Sequence, residues 1–415
     1  MREMKNSGIE WIGEIPVGWD VAQVRYLFKI GRGRVIAQTE LKDDGQYPVF
    51  SSQTKNNGCL GYIDTYDFDV EQLTWTTDGA NAGTVFLRKG KHNCTNVCGT
   101  LQPLSKELNL RYQKYALEHI AFYHKRADTN GYKIMNNEMA AIHTILPPLK
   151  EQHRISTYLD TKCEKIDSII ARQQEVIEKL KAYKLSVITE AVTKGLNPDV
   201  RMKDSGVEWI GDVPEHWEIH KFCWDYSASL GKMLDAKRVT GKHLHPYIKN
   251  SDVQWGIINI TELDEMDFSD DEYDRYSVKP GDLMVCEGGE IGKCAIVPSD
   301  FPQGIFYQKA LHRVRKRSNK GNVFFLSYVI FSMAKNNAFN SSPEKATIAH
   351  LPGDALSQLR LPTPPIEEQQ QIADYLDKKC SAIDSAIAQK QAIIEKLTAY
   401  KKSLIYEVVT GKKEV

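Results

Sequence analysis

The segment from Pro147 to Gly195 returns as Pro364 to Lys412, with about 28 of 49 aligned positions identical. Its apolar residues recur in alternating steps of four and three. The first copy runs Leu159, Cys163, Ile166, Ile170, Gln173, Ile177, Leu180, Lys184, Val187, Ala191. The second runs Leu376, Cys380, Ile383, Ile387, Lys390, Ile394, Leu397, Lys401, Leu404, Val408. A sustained 3.5-residue period with charged flanks predicts a long helix in a coiled-coil seam. The polar interruptions fall at the same two places in each copy. Pro147-Pro148 and Pro364-Pro365 mark the entrances, since proline disfavours helix in the residue before it. Gly195 and Gly411 mark the exits. The predicted helices cover 151–193 and 368–410, and ~43 residues at ~1.5 Å each span ~65 Å.

A second duplication precedes each helix. Met4-Lys5-Asn6-Ser7-Gly8-Ile9-Glu10-Trp11-Ile12-Gly13-Glu14-Ile15-Pro16 comes back as Met202-Lys203-Asp204-Ser205-Gly206-Val207-Glu208-Trp209-Ile210-Gly211-Asp212-Val213-Pro214. The offset is about 198 residues here and about 217 for the helices. Between the repeats, 20–146 and 218–363 are barely similar. A frame duplicated around two unlike inserts predicts a pseudo-two-fold α+β protein. Two α/β recognition domains are separated by two long antiparallel coiled-coil helices. The chain divides into a conserved segment (1–19), a first insert (20–146), a central helix (147–195), a linker with the second conserved segment (196–217), a second insert (218–363) and a C-terminal helix (364–415). Glu151, Gln152, Asp160, Lys162, Glu178 and Lys179 lie outside the seam yet are kept in both copies. That identity predicts an outer face that meets the same partner twice.

At 415 residues the chain exceeds a single core. Lysine and arginine total 54 against 54 aspartate and glutamate, so polyanion binding must come from local clusters. No apolar run approaches the ~20 residues of a membrane span, and the N-terminus lacks a signal-peptide core. A cytoplasmic protein with no membrane partner is expected. The eight cysteines form no framework. Cys163 and Cys380 occupy equivalent apolar helix positions and read as buried thiols. His92-x-Cys94-x3-Cys98 has partial metal-site spacing without a convincing fourth ligand, and reads as core and loop residues.

The inserts share a skeleton. Tyr47-Pro48-Val49-Phe50 leads into the polar run 51–58, and Pro246-Tyr247-Ile248 leads into 249–256. Leu73 to Gly83 parallels Leu283 to Gly292: a strand, an acid, then glycines four apart. Neither turn fits G-x-G-x-x-G or a P-loop, so each reads as a tight connection requiring positive φ. Amide and basic residues around these turns suit base edges and phosphates. In the first insert the candidates are Gln53, Lys55, Asn56, Asn57, Thr77, Asp78, Asn81, Arg88, Lys89, Lys91, Asn93, Lys125, Arg126, Asn130, Tyr132 and Lys133. In the second they are Lys249, Asn250, Gln254, Trp255, Glu290, Lys293, Arg313, Arg315, Lys316, Arg317, Lys320 and Lys345. The acidic run Asp264 to Asp274 reads as a solvated face.

Catalytic signatures are missing. There is no N-P-P-Y methyltransferase sequence, no Walker sequence, no H-E-x-x-H and no evident Ser/His/Asp set. The D-x-K matches Asp160-Thr161-Lys162 and Asp377-Lys378-Lys379 lie on the repeated helix, where charged surface is the ordinary explanation. The chain reads as a binder with no catalytic residue, metal or cofactor of its own.

The S-G-I/V-E-W-I-G-E/D-I/V-P-x-x-W segments and the P-P-x-x-E-Q-x-x-I-x-x-Y-L-D helix entrances resemble the specificity (S) subunit of Type I restriction-modification enzymes. The resemblance covers the whole chain in the order recognition domain, conserved helix, recognition domain, conserved helix. It implies a non-catalytic DNA-binding subunit whose two target-recognition domains read the halves of a bipartite, asymmetric duplex site. It also implies two methyltransferase (M) subunits and restriction/translocase (R) subunits as partners, with S-adenosylmethionine, ATP and Mg held by those partners. Two alternatives stay open on the residues alone: a non-DNA scaffold with two protein-binding inserts, and an autonomous DNA-modifying enzyme.

Overall fold

The computed structural model describes residues 2–129, 131–233, 241–340 and 350–415. Two compact units divide the chain: Met1–Gln174 with Gln391–Val415, and Glu175–Lys390. Four helices organise them: α1 (Leu110–His124), α2 (Leu149–Lys194), α3 (Val323–Lys335) and α4 (Ile366–Val409). The long helices α2 and α4 contain 46 and 44 residues. Both begin directly after their proline pair, two residues earlier than the spacing predicted. The Pro148 and Pro365 carbonyls accept the first helical bonds, from Gln152 and Gln369. Proline is tolerated at this point because a first-turn N–H has no helical partner to lose.

Each unit combines the first part of one long helix with the last part of the other, running antiparallel. In the first unit Ile155, Leu159, Cys163 and Ile166 share a core with Leu404, Val408 and Val409. In the second, Ile372, Leu376 and Cys380 share one with Ile188, Ala191 and Val192. The interrupting lysines of the seam find carboxylates on the facing helix, Lys401 at Asp167 and Lys184 at Asp384. A buried lysine stem with its ammonium paired at the rim keeps the seam closed.

The duplicated conserved segments form matching antiparallel hairpins, Met4–Asn6 with Glu14–Pro16 and Met202–Asp204 with Asp212–Pro214. Trp19 and Trp217, both buried, follow them into the two cores. Beyond the hairpins, the unlike sequences adopt the same sheet. In the first unit the order is Val85–Arg88, Gln72–Thr76, Cys98–Pro103, Phe28–Arg32, all antiparallel. In the second it is Cys294–Ile296, Leu283–Cys286, Leu311–Lys316, Tyr226–Leu230. The two polar runs also correspond. Tyr47–Phe50 pairs in parallel with Lys91–Cys94, as Leu244–Ile248 pairs with Phe306–Tyr307.

One glycine pair shows why this topology recurs without similar side chains. A Cβ on Gly33 would lie 2.0 Å from the Cys94 carbonyl oxygen, and one on Gly231 would lie 2.3 Å from the Gln308 carbonyl oxygen. At both positions two backbones cross so closely that only a hydrogen fits.

Helices α1 and α3 cover their sheets and are fastened to the long helices by equivalent bonds. Asn109 and Asn322 cap their N-termini, accepting from Tyr112 N–H and from Phe324 and Phe325 N–H. Six residues past each cap, Tyr115 donates to Asp160 at 2.8 Å and Tyr328 donates to Asp377 at 2.6 Å. The aspartates of both D-x-K sequences are therefore packing anchors. Among the described residues no helix is long and apolar enough to cross a membrane.

Candidate nucleic-acid interface

The polar run of the first unit forms an exposed loop on the rim of its sheets. Lys55, Asn56 and Asn57 are exposed, and Gln53 is half-buried, its amide donating to the Cys59 carbonyl. Asn81 stands beside this loop and donates to Thr54 Oγ1 at 3.4 Å. Both turns predicted to need positive φ have it, at Gly79 and Gly83 in the first and at Gly289 and Gly292 in the second, where Gly289 and not Gly288, the glycine four before Gly292, takes the left-handed conformation. Asp78 is half-buried, in a short strand paired with the ribbon that follows α1. That ribbon, Arg126–Asp128 with Gly131–Lys133, projects Tyr132, which is 41 % exposed. Lys125 lies 4.2 Å from the Tyr132 ring, while Arg126 pairs with Glu138 and Lys133 with Asp128. Lys133 holds the Asp128 carboxyl below its usual range.

In the second unit Lys249 pairs with Asp264 at 2.7 Å, and Asn250 donates to the Gly288 carbonyl. Gln254 is exposed, and Trp255 donates to Glu290 at 2.7 Å. Lys335 also reaches Glu290 and lowers its pKa. Lys293 is half-buried, while Lys316, Arg317 and Lys320 are exposed, Lys320 pairing with Glu218 at 2.9 Å. In the first unit Lys89 pairs with Glu71, and Lys91 lies over the Tyr66 ring. Asn130 and Lys345 fall outside the described residues.

Five candidates belong to the interior. Thr77 donates to the Val97 carbonyl, and Asn93 donates to the Thr65 carbonyl while accepting from Asp67 N–H. Arg88 is buried between aromatic rings, and Arg313 donates to the Ser277 carbonyl. Arg315, half-buried, forms a two-point pair with Asp282. A basic residue on a strand has two faces to choose from, and composition alone does not indicate which face is covered. The acidic run is also less solvated than expected. Asp267 is buried and accepts from Gly241 and His243 N–H, and Glu272 pairs with Lys232.

The outer-face identity of the long helices is likewise partly internal. Glu151 accepts from Arg2 and from the Trp19 indole; Gln152 is buried and bonds Asn109 N–H and the Pro147 carbonyl. With Asp160 held by Tyr115, three of the six residues assigned to a partner face serve the fold. Of the six, Lys162, Glu178 and Lys179 remain exposed; Tyr183 beside them is exposed too, as are the equivalents Glu395, Lys396 and Tyr400. His92 bonds Gln72 and the Gly90 carbonyl, Cys94 and Cys98 are buried free thiols, and no metal-holding group of three side chains occurs among the described residues.

Two of the exposed aromatics stand at equivalent places in the two units. Tyr26 is 69 % exposed and Trp224 is 56 % exposed, each on an equivalent four-residue helix, Val24–Leu27 and Phe222–Asp225. They are 198 residues apart, so extending the first repeat alignment past Trp19 would have matched them.

One duplicated frame carrying two differently furnished sets of exposed loops defines a two-domain repeat protein. Comparison with known proteins identifies which kind. A family model described as the type I restriction modification DNA specificity domain matches residues 16–179 and 228–399. The chain belongs to this family, carries its domain twice, and is a DNA sequence-recognition subunit of that class. It is similar to a protein from Mycoplasma pneumoniae named as the N-terminus of a type I specificity subunit, 40 % identical over 140 residues, covering 34 % of this chain and 75 % of that protein. The type I restriction enzyme MjaVIII specificity subunit of Methanocaldococcus jannaschii is 26 % identical over 435 residues, covering 96 % of this chain and 93 % of that one. For most of the other Mycoplasma relatives the match spans less than two thirds of their length. A chain from a solved structure concerned with assembly and conformational transition of the type I R-M system matches with TM-score 0.71 at 12 % identity. It covers 96 % of this chain and 99 % of that one, a likeness of fold.

Proposed function

We propose that the inserts 20–146 and 218–363 each read one half of a bipartite, asymmetric DNA sequence. The helices α2 and α4 fix the unread gap between the halves. The single observation that carries this reading is the pairing of an identical frame with unlike surfaces. Tyr115–Asp160 and Tyr328–Asp377 repeat one fastening, whereas Lys55, Asn56 and Asn57 stand exposed and, in the corresponding run, Lys249 is paired with Asp264 and Asn250 is bonded to the Gly288 carbonyl. Equal frames give equal docking, and unequal loops give unequal targets.

Glu178, Lys179 and Tyr183, with Glu395, Lys396 and Tyr400, are the duplicated patch for two methyltransferase subunits. R subunits join through that assembly. S-adenosylmethionine, ATP and Mg belong to those subunits, and this chain contributes binding without catalysis. The complex works in the cytoplasm on double-stranded DNA.

The test is a map of adenine methylation in a host with and without this chain. A gapped motif that vanishes on deletion is expected. Replacing 218–363 with an unrelated insert should change one half of that motif and spare the other. Loss of both halves together would overturn separate reading, and a methylation map unchanged by deletion would overturn the function.

A further inference from the structure

Arg88 is 2 % exposed, yet among the described residues no carboxylate pairs with it. Its guanidinium lies 3.6 Å from the Phe50 ring and 4.4 Å from the Phe86 ring. Nε donates to Thr74 Oγ1 at 3.1 Å and Nη1 donates to the Asn57 carbonyl at 2.7 Å, while Nη2 has no partner. Burial pushes its pKa down to about 10. An unpaired cation under a sheet is a poor way to fill a core, and an apolar side chain of similar volume does that better. What Arg88 does that an apolar residue cannot is donate hydrogen bonds, one to Thr74 within the sheet and one to the Asn57 carbonyl, its bond to the loop.

That carbonyl lies in an unusual stretch. Asn56, Asn57 and Gly58 follow one another with φ of 49°, 53° and 78°. Left-handed backbone at two successive residues other than glycine is uncommon, and it persists where the surroundings over-determine it. Here the surroundings are Arg88 beneath, Ser51 N–H bonded to the Gly58 carbonyl at 3.0 Å, and Asn81 bonded to Thr54. A Cβ on Gly58 would come within 2.8 Å of Arg88 Nη2, so glycine there admits the guanidinium. The buried end of the stretch is fixed, and the side chains of Lys55, Asn56 and Asn57 are left exposed.

We propose that Arg88 is a positioning residue that presents residues 54–58 as the base-reading loop of the first unit. Asn56 and Asn57 offer carboxamides, whose paired donor and acceptor match the major-groove edge of adenine, and Lys55 meets a phosphate. This rests on the reading that the first unit binds one half-site.

The experiment uses the full chain in complex with its methyltransferase subunits, probed with duplexes substituted at each position of the site. N56G and N57G keep the left-handed backbone and delete only the carboxamides. Each should leave the melting temperature unchanged or higher while discrimination at one or two base pairs of one half-site falls about 5- to 100-fold. The other half-site should be read as before. R88M should retain folding and relax the same base pairs without removing a side chain that touches DNA. N56G and N57G complexes that discriminate like the wild type would overturn the loop alone, even if R88M fails to fold. An R88M complex that weakens both half-sites equally would reduce Arg88 to a core residue. A wild-type complex that binds no bipartite duplex would overturn the reading of the whole chain, and this proposal with it.

Discussion

Lys401 places its ammonium 2.7 Å from both carboxylate oxygens of Asp167, and this contact recurs between Lys184 and Asp384 at 2.8 and 2.7 Å. Both lysines occupy seam positions, where an apolar residue would be ordinary, so the pair marks a register as well as adding Coulomb energy. Asp167 is 57 % exposed, which keeps the interaction weak. K401E should therefore cost about 1–2 kcal/mol by repulsion and lost packing, and K401E with D167K should recover about 0.5–1 kcal/mol of it. Thermal melts of the wild type and the two variants measure this. A double variant no better than K401E would show that the two helices do not depend on this pair.

The backbone crossings at Gly33 and Gly231 set a harsher constraint. A methyl group 2.0 Å from a carbonyl oxygen forces strands apart, since the atom it meets is backbone and cannot turn away. G33A should cost about 3 kcal/mol or more and unfold the first unit's sheet at lower denaturant. Gly18, where an added Cβ would meet nothing within 4 Å, is the control: G18A should stay within about 0.5 kcal/mol. Equal effects of the two substitutions would refute the crossing as the cause.

These two features differ in how far the sequence revealed them. The seam was legible because a 3.5-residue period leaves a trace in every turn, and the helix ends came within two residues because proline acts on its immediate neighbour. The crossing glycines left no such trace. Gly33 and Gly231 are 198 residues apart like the first repeat, yet a close approach of backbones has no side-chain signature. Arg88 shows the same gap at the interface. Beside Lys89 and Lys91 it reads as part of a phosphate-binding cluster, but a strand turns alternate residues to opposite faces and Arg88 faces Phe50. Glu151 and Asp160 were legible as invariant between copies. Only the fold reveals that Trp19 and Tyr115 are their reason.

Acid should loosen the second unit through His312. Its Nε2 donates to the Leu351 carbonyl at 2.8 Å, its Nδ1 has no partner, and burial lowers its pKa. A histidine buried neutral binds fewer protons folded than unfolded, so stability is full above the ordinary value of ~6.5 and falls as pH drops below it. The fall approaches ~1.4 kcal/mol per pH unit for each such group until the folded form titrates too. Denaturant midpoints at several pH values between about 7.5 and 5 should show this slope, and H312Q should flatten it. An unaltered slope in H312Q would assign the acid sensitivity to other buried histidines, such as His92.

The fastening of each insert to its helix end differs at one equivalent pair, and this limits which inserts can be exchanged. His119 packs against Tyr406 with ring centroids 5.1 Å apart, whereas Ser332 and Thr189 share a hydroxyl hydrogen bond at 2.9 Å. Each member lies ten residues past its helix cap or at the matching place on the long helix, so the pairs are alternatives for one position. Moving 218–363 onto the first frame would set a serine hydroxyl against Tyr406, losing the aromatic contact and leaving that hydroxyl without its threonine. The chimera should lose about 1–2 kcal/mol from this contact. Adding Y406T to it should restore most of that loss, while Y406T in the native chain should be destabilising because His119 then loses the nearest of its ring contacts, those to Trp11 and Tyr123 remaining. Melting temperatures of the native chain, the chimera and the two Y406T forms decide the matter: the substitution must change sign between the two backgrounds, and a uniform effect would show that the pair does not govern exchange.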